Sequence, residues 1–231
     1  MKTPRQIIAA VIILATVLCL VPTSFAAGRT MKLNPGELVT FGAYEQDGKK
    51  SNGQEDIQWI VLDVKNDRAL LISRYVLDCR AYNKEWADMT WEECTLRTWL
   101  NTTFLESAFS NGEQQAILTT NVDNSREQGN RKWNKDGGYD TKDQVFLLSY
   151  QEMKEYFDTD KERIGRPTEY AKVKGVWEDT NKACHWWLRS PGATQNYAAY
   201  VSSFGSLSST YDYNTNIGVR PAIWVRLEAI T

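Results

Sequence analysis

The sequence predicts an α+β fold, with strands first, helices in the middle and strands last. Three observations carry that reading. Apolar runs of strand length occupy residues 37–73. Ser/Thr-x-x-Glu capping signals recur at Thr90/Glu93, Ser110/Glu113 and Ser149/Glu152. Strand-like runs then return over the last fifty residues.

Each element follows from its residues. "ELVTFGAY" (37–44) is rich in strand formers and alternates imperfectly. "DIQWIVLDV" (56–64) and "RALLIS" (68–73) are separated only by "KND", so they predict a hairpin whose turn falls on Asn66 and Asp67. The Thr90/Glu93 signal leads into "CTLRTWLNTTFLESAF", with Cys94, Trp99, Leu100 and Phe104 on one helical face and an end or bend near Asn101. Ser110/Glu113 opens a second short helix. "QVFLL" (144–148) reads as a buried strand running into a helix capped by Ser149/Glu152. One helical turn is expected near "TEYAK", and the closing strands are "HWWLRS" (185–190), "YAAYVSS" (197–203) and "GVRPAIWVRL" (218–227).

The first 26 of the 231 residues have the pattern of a secretory signal peptide. Lys2 and Arg5 precede the apolar "IIAAVIILATVLCLV", and Ser24 and Ala26 stand at the −3 and −1 positions of a cleavage site. The expectation is a single domain over 27–231, secreted or at the cell surface, with no membrane span once the leader is removed. The formal net charge is −2, and losing Lys2 and Arg5 makes the mature chain more acidic, which excludes an electrostatic footprint for nucleic acid. Of the four cysteines, Cys79, Cys94 and Cys184 remain after the leader. Cys79 and Cys94 flank a compact segment and are expected to pair, a constraint worth about 3 kcal/mol in the chain-entropy account. The other reading is three buried thiols acting as small apolar residues.

No strong catalytic constellation emerges. His185 is the only histidine and lies beside two tryptophans, a setting that reads as structural. One histidine and scattered cysteines do not supply a zinc set, and no GxxxxGK[ST] phosphate loop is present. In the polar loop 124–143, Asn134, Asp136, Gly137 and Asp143 echo a calcium loop, but Lys132 stands where the first ligand belongs. No metal, cofactor or catalytic residue is therefore assigned. Trp59, Trp99, Trp187 and Trp224 lie in apolar patterns and read as core, whereas Trp133 lies in the polar loop and is expected to be exposed.

Between "HWWLRSPG" and "IGVRPAIWV" lies "ATQNYAAYVSSFGSLSSTYDYNTN", in which Asp212 is the single charge. Its Tyr, Ser, Asn and Thr composition is that of an antibody paratope, where Tyr gives rigid contact area and Ser and Asn give adaptable hydrogen bonds. A plain edge hairpin is the other reading. Strand alternation sets Ser202 and Phe204 opposite Val201 and Ser203. The candidate ligand-binding residues are Tyr197, Ser202, Phe204, Ser208, Tyr211, Tyr213 and Asn214, with Trp133 from the neighbouring loop. An unknown protein or glycan is the expected partner.

"TFGAYEQDG", "IQWIVLDV", "ALLISRYVLDCRAYN", "TWEECTLRTWLN", "FLLS", "WWLRSPG", "AAYV" and "GVRPA" occur in that order over nearly the whole mature chain. They resemble the bacterial family called domain of unknown function 6273. That family is similar to C-type-lectin-like folds, the group that includes the formylglycine-generating sulfatase-modifying domains. The resemblance implies paired N- and C-terminal strands, two to three helices and a large loop face. Gly218-Val219-Arg220 matches the group's closing strand. Trp187 then anchors a core strand, Arg189 orders the turn through backbone carbonyls, and Arg220 is structural.

No activity comes with the resemblance. The oxidase members use a late cysteine pair where this chain has only Cys184, and the EPN, QPD and WND triplets of calcium lectins are absent. Lectin-fold proteins diversified by retroelements vary residues of the kind found at 196–216. The function expected is therefore an exported recognition protein. A divergent enzyme of the formylglycine-generating superfamily and a structural cell-envelope module are the alternatives.

Overall fold

A computed structural model describes residues 32–230. The expected leader lies outside the described residues. The architecture is α+β, built on two five-stranded sheets. The first has the order β1 (Leu38–Tyr44), β2 (Glu55–Lys65), β3 (Arg68–Ser73), β12 (Ala222–Arg226), β7 (Val145–Phe146). The second runs β10 (Leu207–Tyr211), β9 (Tyr197–Val201), β8 (Trp186–Pro191), β11 (Gly218–Val219), β4 (Asp78–Cys79). A two-stranded ribbon joins β5 (Thr120–Val122) to β6 (Thr141–Asp143).

The β2–β3 hairpin forms where the sequence places it, and Asn66 takes the left-handed conformation at its turn (φ 57°). The implied pairing of the terminal strands does not occur. β12 pairs with β3 and β7, and β1 pairs with β2. Between β3 and β7 the returning C-terminal strand is hydrogen-bonded on both sides, whereas the open edge of β1 would give it a single partner.

Ser110 and Ser149 form full capping boxes with Glu113 and Glu152, starting α3 (Asn111–Ala116) and α4 (Tyr150–Tyr156). The third expected box does not form. α1 (Thr95–Trp99) is capped by the Cys94 sulphur, which accepts from the Arg97 amide at 3.4 Å, while the Thr90 hydroxyl is buried without a partner. The bend near Asn101 is a π-helical stretch, Leu100–Phe104, leading into α2 (Leu105–Ala108). Asn101 explains it. Its amide donates to Arg97 O at 3.1 Å and Val145 O at 2.8 Å, and its carbonyl accepts from Gln144 N, which ties the helix to β7. α5 (Asp160–Arg163) carries a capping box of its own at Thr159/Glu162, and Thr168 caps α6 (Glu169–Val173).

Trp59, Trp91, Trp186 and Trp187 are fully buried. Phe109 packs against Phe41, Trp59 and Phe104 at centroid distances of 5.6, 6.2 and 6.0 Å, joining the first sheet to the helices. Gly42 lets Phe109 approach: its φ of 69° suits glycine, and a side chain there would meet the Phe109 ring at 2.5 Å. Arg220 bridges the sheets. It donates to Ser73 O at 2.9 Å and lies over Trp186 at 4.9 Å, and burial lowers it to about 10. Arg189 donates to Leu147 O and Asp123 O, each at 2.9 Å, and pairs with Glu152.

Candidate functional site

β8, β9 and β10 form the platform of the site. Trp187 lies opposite Tyr200, Tyr200 opposite Ser208, and Tyr197 opposite Tyr211. The β9–β10 turn is tied by Ser202. Its Oγ lies 2.7 Å from Ser206 Oγ and accepts from the amides of Phe204 and Ser206. Gly205 closes the turn at φ 83°, and a Cβ there would run into the Asp160 carbonyl.

The tie overturns the expected exposure of Ser202, which is buried because its hydroxyl is spent on the turn. Phe204, at the tip, is 70% exposed. Tyr211 and Tyr213 are exposed, and a series of tilted rings runs Tyr197–Tyr211–Tyr213 at centroid distances of 4.5 and 5.3 Å. Ser208 and Asn214 are half-buried.

A cleft of about 300 Å³ opens beside this platform, walled by Trp177, His185, Tyr200, Thr210, Asn214 and Asn216. The ring of His185 packs between Trp177 at 4.9 Å and Tyr200 at 5.1 Å. Its Nδ1 accepts the Ser203 amide at 2.8 Å. An accepting Nδ1 is unprotonated, so the neutral ring carries its proton on Nε2 and offers a donor there. Burial pushes its pKa down, with Asp179 opposing, which favours that neutral form. The same bond removes Nδ1 from service as a general base. Trp177 is held by its amide on Asn216 O at 3.1 Å and remains 45% exposed. No lining side chain is a carboxylate, lysine or arginine. The surface is therefore aromatic and uncharged, with amides and hydroxyls along one wall.

The sequence missed Trp177 and read His185 as structural alone. Trp177 sits in "KGVWEDTNK", without periodicity and amid polar residues, which is the criterion that drew attention to Trp133. The exposure expected of Trp133 is a correction. It is half-buried against Tyr150 at 5.5 Å because its loop is fastened down. Gln151 donates to Gly129 O at 2.7 Å, and Asn124 N donates to Asp140 at 3.0 Å. Trp86, 70% exposed, stands further into solvent than Trp177.

The Cys79–Cys94 bridge is a further correction: all three described cysteines are buried free thiols. The Cys94 sulphur is turned to its capping role, and Cys79 Sγ donates to Thr215 O at 3.1 Å. Burial pushes both thiols up to about 12, so they stay protonated.

The calcium-like loop does not converge. Asp143 is buried with Arg97 at 2.7 Å and Trp91 Nε1 at 2.9 Å, while Asp136 accepts from Gly138. Among the described residues, carboxylates that could share a cation are Glu45, Asp47 and Glu55, whose oxygens already accept nearby backbone amides.

A family described as domain of unknown function (DUF6273) matches residues 66–227. The chain belongs to this family. The DUF6273 match starts at the β2–β3 turn, so it takes in the whole platform and cleft and leaves β1 and β2 outside. No curated protein and no solved structure matches the chain. Among the described residues, no helix is long and apolar enough to cross a membrane.

Proposed function

We propose that the protein is an exported recognition module with a C-type-lectin-like fold, which binds a neutral sugar ring in the Trp177–His185–Tyr200 cleft. One observation carries the reading. Three aromatic rings, one of them an exposed tryptophan, line an uncharged cleft together with Thr210, Asn214 and Asn216. A sugar ring presents apolar C–H faces to such rings and hydroxyls to amides and to the His185 Nε2 donor. Tyr211, Tyr213 and Phe204 extend the contact area beyond the cleft.

The fold assignment draws support from the Gly218-Val219-Arg220 closing strand and from chain ends that share one sheet. The same face suits diversification by a retroelement, because its Tyr and Phe residues are exposed while Ala198, Ala199 and Val201 of β9 are buried. A near-copy of the 3′ coding end beside a reverse-transcriptase gene would establish that part.

Binding is tested by a glycan array followed by calorimetry with the retained sugar. Trp177→Ala is expected to weaken affinity about thirtyfold, some 2 kcal/mol, with a near-native melting temperature. Retention of no neutral glycan, or unchanged affinity in the folded variant, would overturn the reading.

A further inference from the structure

A second cleft, of about 590 Å³, lies across the 214–216 segment from the first: Asn214 and Asn216 line one and Thr215 the other. Its chemistry is opposite in kind. Arg80, Lys84 and Lys174 line it, and no carboxylate does, although the chain as a whole is acidic.

The arginine is held in place without being neutralised by a hydrogen bond. Its backbone carbonyl accepts Trp187 Nε1 at 2.8 Å, its amide donates to Ile217 O at 3.3 Å, and its guanidinium lies 4.0 Å over Trp99. The nearest carboxylate, the buried Asp78, is 3.6 Å from Arg80 Nε. Its oxygens are taken by the Tyr44 hydroxyl at 2.7 Å and the Cys79 amide at 2.6 Å. Arg80 Nε, ion-paired with Asp78, is buried without a hydrogen-bond partner, and among the described residues its two terminal nitrogens donate to no acceptor. Lys84 and Lys174 form no ion pair among the described residues. Thr95 and Thr98 of α1, with Thr102 and Thr103 of the π-helical stretch, add hydroxyls. Such an array is what a carboxylate, sulfate or phosphate group recruits: a stacked planar fork with two mobile cations beside it.

We propose that the Arg80–Lys84–Lys174 cleft is a binding site for a small organic anion. Its volume admits a single ring bearing one acidic group. The Cys79 thiol, protonated as argued above, adds no charge to repel it. This site does not depend on the neutral-sugar cleft, and either can fail without the other.

The full mature chain is titrated with galacturonate, with galactose as the neutral counterpart, and with inorganic sulfate and phosphate. Calorimetry reads affinity, and the part of the tryptophan fluorescence change that is lost in Trp99→Phe, among the signals of nine tryptophans, reads the Trp99 environment. Saturable binding of galacturonate over galactose, weakened by added salt, is expected. Equal binding of sulfate or phosphate would identify the oxyanion alone as the determinant, and galacturonate alone would identify an acidic ring. Either result supports the site. Lys84→Gln/Lys174→Gln alters exposed side chains and should leave the circular dichroism unchanged while lowering affinity tenfold or more. Arg80→Lys, which retains charge and loses the planar fork, should weaken binding as well. No saturable binding by any of the anions, or an affinity unmoved by the double lysine variant, would overturn the proposal.

Discussion

β9 and β10 are two strands of one hairpin, drawn from one uncharged stretch, and they serve opposite ends. β9 buries Ala198, Ala199 and Val201 completely, whereas every residue of β10 keeps some exposure. The difference lies in what stands beside each strand. β9 is flanked by β8 and β10, and β10 is an edge. Composition made both strands suitable for contact, and sheet position decided which one has side chains to spare. An edge strand without charge is ordinarily a liability, so its retention on this face fits a surface that meets a partner.

The contrast can be broken most sharply in the centre of the second sheet. Trp187→Ala removes a fully buried ring that packs on Tyr82 at 5.8 Å, and should cost about 3–5 kcal/mol in urea unfolding. The matching truncation on the edge strand, Tyr211→Ala, should cost under about 1 kcal/mol. Equal losses at the two positions would make β10 core and end the comparison.

A pH titration probes the end of the same hairpin. Asp212 is buried, and burial raises its pKa to about 6 against the lowering by neighbouring backbone amides. An unfolded aspartate titrates near 3.9. Across that window the folded chain keeps a proton the unfolded chain has lost, so this residue's contribution to stability falls as pH rises from about 4 to 6 and then levels off. Asp212→Asn should abolish that slope and exceed the wild type in stability at pH 7, read from urea midpoints across pH 4–7. An unchanged slope would mean that water or a cation already serves the carboxylate.

The smallest effects separate two residues that alternation placed on one face. Ser202→Ala loses the hydroxyl that ties the turn and should cost about 1 kcal/mol. Phe204→Ala, at the exposed tip, should stay within about 0.5 kcal/mol. Thermal melts of the pair decide whether the turn is built by Ser202 or merely contains it.

What could be read from the sequence was local. Ser110/Glu113 and Ser149/Glu152 were legible because each capping box closes between residues three apart. The β2–β3 hairpin was legible because its partners are joined by a short turn. Thr90/Glu93 had the same spacing and failed, since the next residue able to cap, Cys94, opens the helix instead. Strand alternation put Phe204 on the exposed side and misplaced Ser202, because a turn interrupts the period of two.

The sequence by itself determined the α+β order of elements, the family and the uncharged stretch on which the candidate face is built. Only the tertiary structure decided that Trp177 rather than Trp133 flanks that face, that His185 has its Nδ1 occupied, that the cysteines stay apart, and that β12 joins β3. It also gathered Arg80, Lys84 and Lys174 into one cleft. The physical reason is the range of the interactions. Caps and tight turns are satisfied within a few residues and leave a spacing that can be read. Burial of a tryptophan or assembly of a cleft depends on segments far apart in the chain, 107 residues for Trp187 and Arg80 and 136 for Cys79 and Thr215, and no spacing in the chain encodes their meeting.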